Sequence, residues 1–242
     1  MPRANRYIQP GHLYHLTHRC HNRQFLFKFG VTRTEYRHRL RLAARRHKLS
    51  LLNYSITCNH THLLAEAADT EAISSMMQQL EGEFAEWYNR RKGRSGGFWS
   101  DRYHCTMVEG SRYAWNCLQY IDLNMVRAGV VRHPDEWRWC GYDELTGQRS
   151  RYRLVDLDSL QKWFDGMSRA EFIEAYRRSI NDAIAAHRLK RDPVWTEAIA
   201  VGSEEFVRRV SDETKTRVKL EVDEAGEGVW VVRDPEVPYS AF

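Results

Sequence analysis

Asn59-His60-Thr61-His62-Leu63-Leu64 is the stretch on which the fold turns. Before it, Leu49 to Thr57 reads as a β-strand; after it, Thr61 to Ala67 reads as another. The chain therefore reverses across Cys58-Asn59-His60 as an antiparallel pair. Alternate strand residues share a face, so His60 and His62 point the same way. Upstream, Tyr14-His15-Leu16-Thr17-His18-Arg19 alternates as a strand, and Thr32-Arg33-Thr34-Glu35 has the form of a capping box opening a helix to about Lys48. Downstream, Thr70 to about Arg91 is amphipathic, with Ile73, Met77, Leu80, Phe84 and Trp87 on one side. Arg102 to Glu109 reads as a fourth strand and Ser111 to about Arg127 as a third helix, ended by Gly129. The first six elements follow the order β-α-β-β-α-β. That is the ferredoxin-like pattern of an α+β fold, an antiparallel sheet with helices on one face, here followed by an extra helix.

Past Trp137-Arg138-Trp139-Cys140 the composition changes. Ser168-x-x-Glu171 is a second capping box, opening a helix to about Arg188, and Ser203 to Val210 reads as a short helix. Arg217 to Val232 alternates around Ala225-Gly226-Glu227-Gly228 as a terminal hairpin. The reading is a domain over residues 1–149 and a mostly helical C-terminal extension over 150–242. Charge divides the same way. Residues 1–149 hold 22 Lys+Arg against 14 Asp+Glu, a net +8; the remainder holds 15 against 18, a net −3. Ten of the eleven histidines lie in the first part. A basic first domain favours a polyanionic partner.

The five cysteines, at 20, 58, 105, 117 and 140, show no C-x-x-C spacing. That argues against a disulfide framework or a Cys-rich zinc site and for reduced thiols. No apolar run is long enough to span a membrane, and Met1 to Tyr7 lacks the apolar core of a signal peptide. The expectation is a cytoplasmic protein without a membrane partner.

Tyr120-Ile121-Asp122-Leu123-Asn124 is the second informative stretch. Tyr120 and Asn124 are four apart on a helix and share a face. Two imidazoles, an amide oxygen and a phenol, brought together, make a metal site with a nucleophile beside it. Two nitrogens and one oxygen leave positions open on Mg²⁺ or Mn²⁺ for a phosphate oxygen. A tyrosine that attacks a DNA phosphate forms an ester that keeps the bond's energy for rejoining. Each residue also has an ordinary explanation. A lone H-x-H on a strand is most often structural, and a helix tyrosine most often packs its ring in a core. Arg91 and Arg94 precede Trp99 and Arg102, and basic residues interleaved with aromatics suit single-stranded nucleic acid. The arginines at 37, 39, 41, 45 and 46 read as a solvated helix face.

Four ordered motifs now support a resemblance. Asn59-His60-Thr61-His62-Leu63-Leu64 resembles the "NH-x-HLL" segment of IS200-like transposases, the HUH single-strand nucleases. Tyr120-Ile121-x-Leu123-Asn124-x-Val126-Arg127-Ala128-Gly129 resembles the "YI-x-LNPVRAG" segment of their REP-associated tyrosine transposase branch. Gly97-Phe98-Trp99-x-x-Arg102-Tyr103 and the opening Gly11-x-x-Tyr14-His15-Leu16-Thr17 with Asn22-Arg23 are similar to further stretches of that branch. The resemblance implies the HUH fold, His60 and His62 as metal ligands, and Tyr120 as a nucleophile forming a 5′-phosphotyrosine. It puts Asn124 in the place of the third ligand, and Asn22, Arg23 and Arg127 on the DNA side of the site. It implies single-stranded or hairpin DNA as partner and leaves a homodimer open. Met125 replaces the usual proline, Thr57-Cys58 the usual Met-Pro, and Cys20-His21 a glycine-rich strand end; none of these is a catalytic group.

Two other readings compete. A module that kept the fold and lost catalysis would bind hairpin DNA without cutting it. A two-histidine phosphoesterase would need two H-x-T/S motifs; His15-x-Thr17 supplies one, but His60-Thr61-His62 ends in histidine.

Overall fold

The computed structural model describes residues 8–214 and 219–235. The chain runs β1 (Leu13–Arg19), α1 (Gly30–Arg46), β2 (Ser50–Ile56), β3 (His60–Glu66), α2 (Ala72–Lys92), β4 (His104–Val108), α3 (Arg112–Asp122) and α4 (Asn124–Arg127). The four strands pair in the order β2-β3-β1-β4, every pair antiparallel. This is the expected ferredoxin-like core.

Period-2 alternation sorts the strands into two faces. In β1, Tyr14, Leu16 and His18 face α1 and α2; His18 lies 2.6 Å from Glu81 of α2. There Phe27, Tyr36, Phe84 and Phe98 form a fully buried aromatic cluster, with Phe27 stacked on Phe84 and Tyr36 edge-on to it. Such pairs add roughly 0.5–1.5 kcal/mol each beyond the area they bury. His15 looks the other way, toward α3, its ring 5.9 Å from that of Tyr120. The extra helix thus covers the face that α1 and α2 leave open.

The helix α3 is held from two sides. Asn53, at a register shift in β2, donates from Nδ2 to the Leu118 carbonyl at 3.2 Å. The Tyr176 hydroxyl donates to Asp122 at 2.6 Å. Gly141 passes so close that an added Cβ would stand 2.1 Å from Asn53 Oδ1. Leu123 separates α3 from α4, where a single helix to Arg127 was expected, and Gly129 follows at φ +66°.

The helix α1 starts two residues before the expected cap. Thr32 lies inside it, and Glu35 pairs with Arg39 instead of capping. The cause is Arg33, which is buried, donates to the Phe27 and Lys28 carbonyls and lies 3.9 Å over Trp139. That clamp fixes the entry to the helix. Arg37 is not a solvated residue either: it donates to Tyr54 and to buried Glu144.

The rest of the chain comprises α5 (Tyr142–Leu145), α6 (Leu157–Trp163), α7 (Arg169–Ala185), α8 (Val194–Glu197), β5 (Ala200–Gly202), α9 (Glu204–Glu213), β6 (Glu221–Gly226) and β7 (Val229–Arg233). Ser168 and Glu171 cap α7 reciprocally, as expected. The terminal hairpin exists as β6 and β7; Arg217 and Val218, where its reading began, lie outside the described residues, as do Met1 to Tyr7. The C-terminal segment joins the sheet. β5 pairs parallel to β4, and β7 and β6 follow, so one mixed seven-stranded sheet crosses residue 149. Glu144 adds a second stitch by accepting the Leu154 and Val155 N–H groups. Among the described residues, no helix is long and apolar enough to cross a membrane.

Candidate nuclease site

The site forms where the end of β1, the start of β3 and the α3–α4 break meet. Arg19 is the register partner of His60, and Thr17 of His62. The H-x-H strand spacing puts both imidazoles on the α3 face, with ring centroids 4.8 Å apart.

The hydrogen bonds decide which nitrogens are bare. Asn59 donates from Nδ2 to the Arg23 carbonyl (3.3 Å), which turns its Oδ1 toward His60 Nδ1 at 2.7 Å. His60 Nδ1 must then carry the proton, and Nε2 keeps its lone pair. His15 Nδ1 faces the Trp195 carbonyl at 2.7 Å. A carbonyl only accepts, so His15 Nδ1 is protonated and its Nε2 accepts from His62 Nδ1 at 3.0 Å. His62 Nε2 is therefore unprotonated as well, and accepts from Asn124 Nδ2 at 2.9 Å.

Burial, the largest cause, together with nearby cations and imidazoles, holds all three rings neutral. His15 and His60 are each pushed down to about 3, and His62 goes well below its usual value. A neutral imidazole with an exposed lone pair is the form that ligates a metal. The donor set of two Nε2 atoms and an amide fits a divalent ion, provided the Asn124 amide turns its oxygen inward. Among the described residues no group of three His, Cys, Asp or Glu could hold a metal; the further donor beside the two rings is the Asn124 amide.

Tyr120 is 7% exposed, its ring 5.7 Å from that of His62 and edge-on to it. Arg127 lies 4.2 Å over the Tyr120 ring and donates to the Tyr120 carbonyl at 2.7 Å. Burial raises the phenol above its usual range, while the Arg127 and Arg191 charges pull it back. Arg19, Arg127 and Arg191 also act on His60, while Asp192 acts on Tyr120 and Arg127; the balance of charge is positive, which suits a phosphate.

The expected DNA-facing residues divide. Asn22 and Arg23 are exposed on the turn tied to Asn59, both with left-handed backbone. Arg91 is exposed beside Trp87, and Arg102 is exposed ahead of β4. Arg127 belongs to the tyrosine rather than to an outer surface. Arg94 braces its own loop by donating to Asn89 and Gly97. Trp99 is not an open stacking platform. It lies on the opposite sheet face, stacked 4.1 Å on His18, with its N–H given to the Glu81 carbonyl. The aromatic–basic pattern is instead met by Phe25 (65% exposed) and Phe29 (53% exposed), with Lys92 Nζ 4.7 Å over the Phe29 ring. Sequence reasoning also missed Arg19, Arg191 and the Trp195 carbonyl. Strand register could have found Arg19, since it sits opposite His60.

Comparison with known proteins bears on the family and the fold. Residues 9–124 match the family model of IS200-like transposases. A solved REP-associated tyrosine transposase, bound to a REP hairpin, aligns with a TM-score of 0.53 at 17% identity, covering 64% of this chain and 90% of that one. A candidate transposase from Deinococcus radiodurans R1 aligns with a TM-score of 0.35 at 18% identity, covering 49% of this chain and 93% of its own. No curated protein sequence matches the chain. At 17% identity, the likeness to the hairpin-bound transposase speaks for the fold alone.

Proposed function

We propose that this chain, whose residues 9–124 match the family model of IS200-like transposases, is a metal-dependent single-stranded DNA endonuclease and strand transferase acting on hairpin-forming DNA. The observation that carries the proposal is the convergence of two unprotonated Nε2 atoms, the Asn124 amide and the Tyr120 ring in one site. His60, His62 and Asn124 would hold the ion. When bound, Mg²⁺ or Mn²⁺ polarises the phosphorus–oxygen bonds and stabilises the leaving 3′ oxygen.

Tyr120 is the nucleophile. Its oxygen bonds to phosphorus as its proton leaves, the bond from phosphorus to the 3′ oxygen breaks, and that oxygen takes a proton. The 5′ phosphate stays on the tyrosine until a 3′-hydroxyl displaces it and restores the phenol. Arg127 holds the Tyr120 ring and carbonyl, and its charge favours the phenolate. Asn22, Arg23, Arg91 and Arg102 lie exposed for phosphates, and Phe25 and Phe29 for stacked bases.

One observation favours a binding-only protein: Tyr120 is largely covered, and the amide nitrogen of Asn124 occupies the His62 lone pair. Tyr120→Phe separates the two readings in a nicking assay on labelled hairpins with Mg²⁺ or Mn²⁺. The nuclease reading expects nicking by the wild type only, with hairpin binding kept in the variant. No nicking by the wild type under either metal, with tight binding, would favour the binding-only protein.

A further inference from the structure

We propose that the C-terminal segment is built into the metal-binding half of this site: the Trp195 carbonyl, acting through His15, sets which nitrogen of His62 faces the ion. The inference rests on the metal-site reading above and adds two positioning groups to it.

A neutral imidazole carries one proton and, unrestrained, samples both tautomers. Only the Nδ1–H form of His62 leaves Nε2 bare beside Asn124. The relay enforces that form in two steps: the Trp195 carbonyl holds the proton on His15 Nδ1 (2.7 Å), and the bare His15 Nε2 holds the proton on His62 Nδ1 (3.0 Å). The two rings are stacked within 5° of parallel, and both are buried. Burial matters because no water competes for either bond. The first group in the relay is fixed in turn. Val194, Trp195 and Ala198 are buried, and Thr106 of β4 donates to the Ala198 carbonyl at 2.7 Å. The parallel pairing of β4 with β5 carries the next residues into the sheet. His60 obtains the same result locally, from Asn59. One ligand is thus oriented by its own turn and the other by a segment more than a hundred residues away in sequence.

The test uses the full-length chain. Long-range ¹⁵N–¹H correlation of the histidine rings, without metal, reads the tautomers directly; Mn²⁺ titration followed by electron paramagnetic resonance reads affinity. In the wild type, His62 shows a protonated Nδ1 and an unprotonated Nε2. His15→Leu removes the acceptor, abolishes the single tautomer and weakens Mn²⁺ binding by about 10–100-fold. His15→Gln, which can accept from His62 and donate to Trp195, keeps the tautomer and binds Mn²⁺ within about threefold of the wild type. A wild-type His62 protonated on Nε2 overturns the proposal, and so does equal behaviour of the two variants. If His15→Leu does not fold, the wild-type spectrum and His15→Gln decide. A wild type with the expected tautomer but no Mn²⁺ binding would overturn the metal-site reading and leave the relay standing.

Discussion

Asp122→Asn should make the protein more stable at pH 8 and little different at pH 4. Asp122 is buried on the helix that carries Tyr120 and accepts the Tyr176 hydroxyl at 2.6 Å. Burial outweighs that bond and raises the carboxyl from 3.8 to about 7. Between those values the folded chain holds a proton that the unfolded chain has released. The acid's contribution is therefore complete below about pH 4 and is lost as pH rises through 7. At about 1.4 kcal/mol per pH unit, full ionisation forfeits about 4 kcal/mol. Asparagine keeps an acceptor for Tyr176 and never ionises. Urea midpoints of both proteins from pH 4 to pH 8 should diverge with rising pH, reaching a difference of about 2–4 kcal/mol. A difference that stays constant with pH would mean that Asp122 is not held protonated by burial. Strand-transfer chemistry should survive, since the hydroxyl that Asp122 holds is that of Tyr176 and not that of Tyr120.

The histidines act with the opposite sign. His15 and His60 titrate near 3 in the folded chain and near 6.5 in the unfolded one, so each lowers stability by up to about 1.4 kcal/mol per pH unit as pH falls from 6.5 toward 3. His60→Asn should flatten that acid slope in urea titrations. Arg127→Ala loses a charged hydrogen bond and a cation over the Tyr120 ring; adduct formation at pH 7 should slow by roughly tenfold or more and recover in part at pH 9. Gly141→Ala drives a methyl into Asn53 and loosens α3, so its urea stability should drop by about 3 kcal/mol, with slower nicking.

The strands, the two long helices and the H-x-H pair were legible because their signals are local: alternation, apolar periodicity, a tight reversal. What was misread depends on contacts distant in sequence. Thr32 and Glu35 look like a cap until buried Arg33 takes the neighbouring carbonyls. β5 is three residues long and shows itself only by lying along β4. Trp99 beside Arg94 and Arg102 reads the same whether the ring is open or stacked on His18. His15 was visible as a strand histidine, but its partner is a backbone carbonyl, which leaves no mark on the sequence.

In the proposed reaction Tyr120 forms the covalent bond to DNA. Incubating the protein with a single-stranded hairpin and Mn²⁺, denaturing, digesting and mapping the crosslinked peptide by mass spectrometry tests it directly. The expected product is a 5′-phosphorylated oligonucleotide attached to Tyr120, absent from Tyr120→Phe and from His60→Ala. Attachment to another residue, or cleavage that persists in Tyr120→Phe, would contradict it.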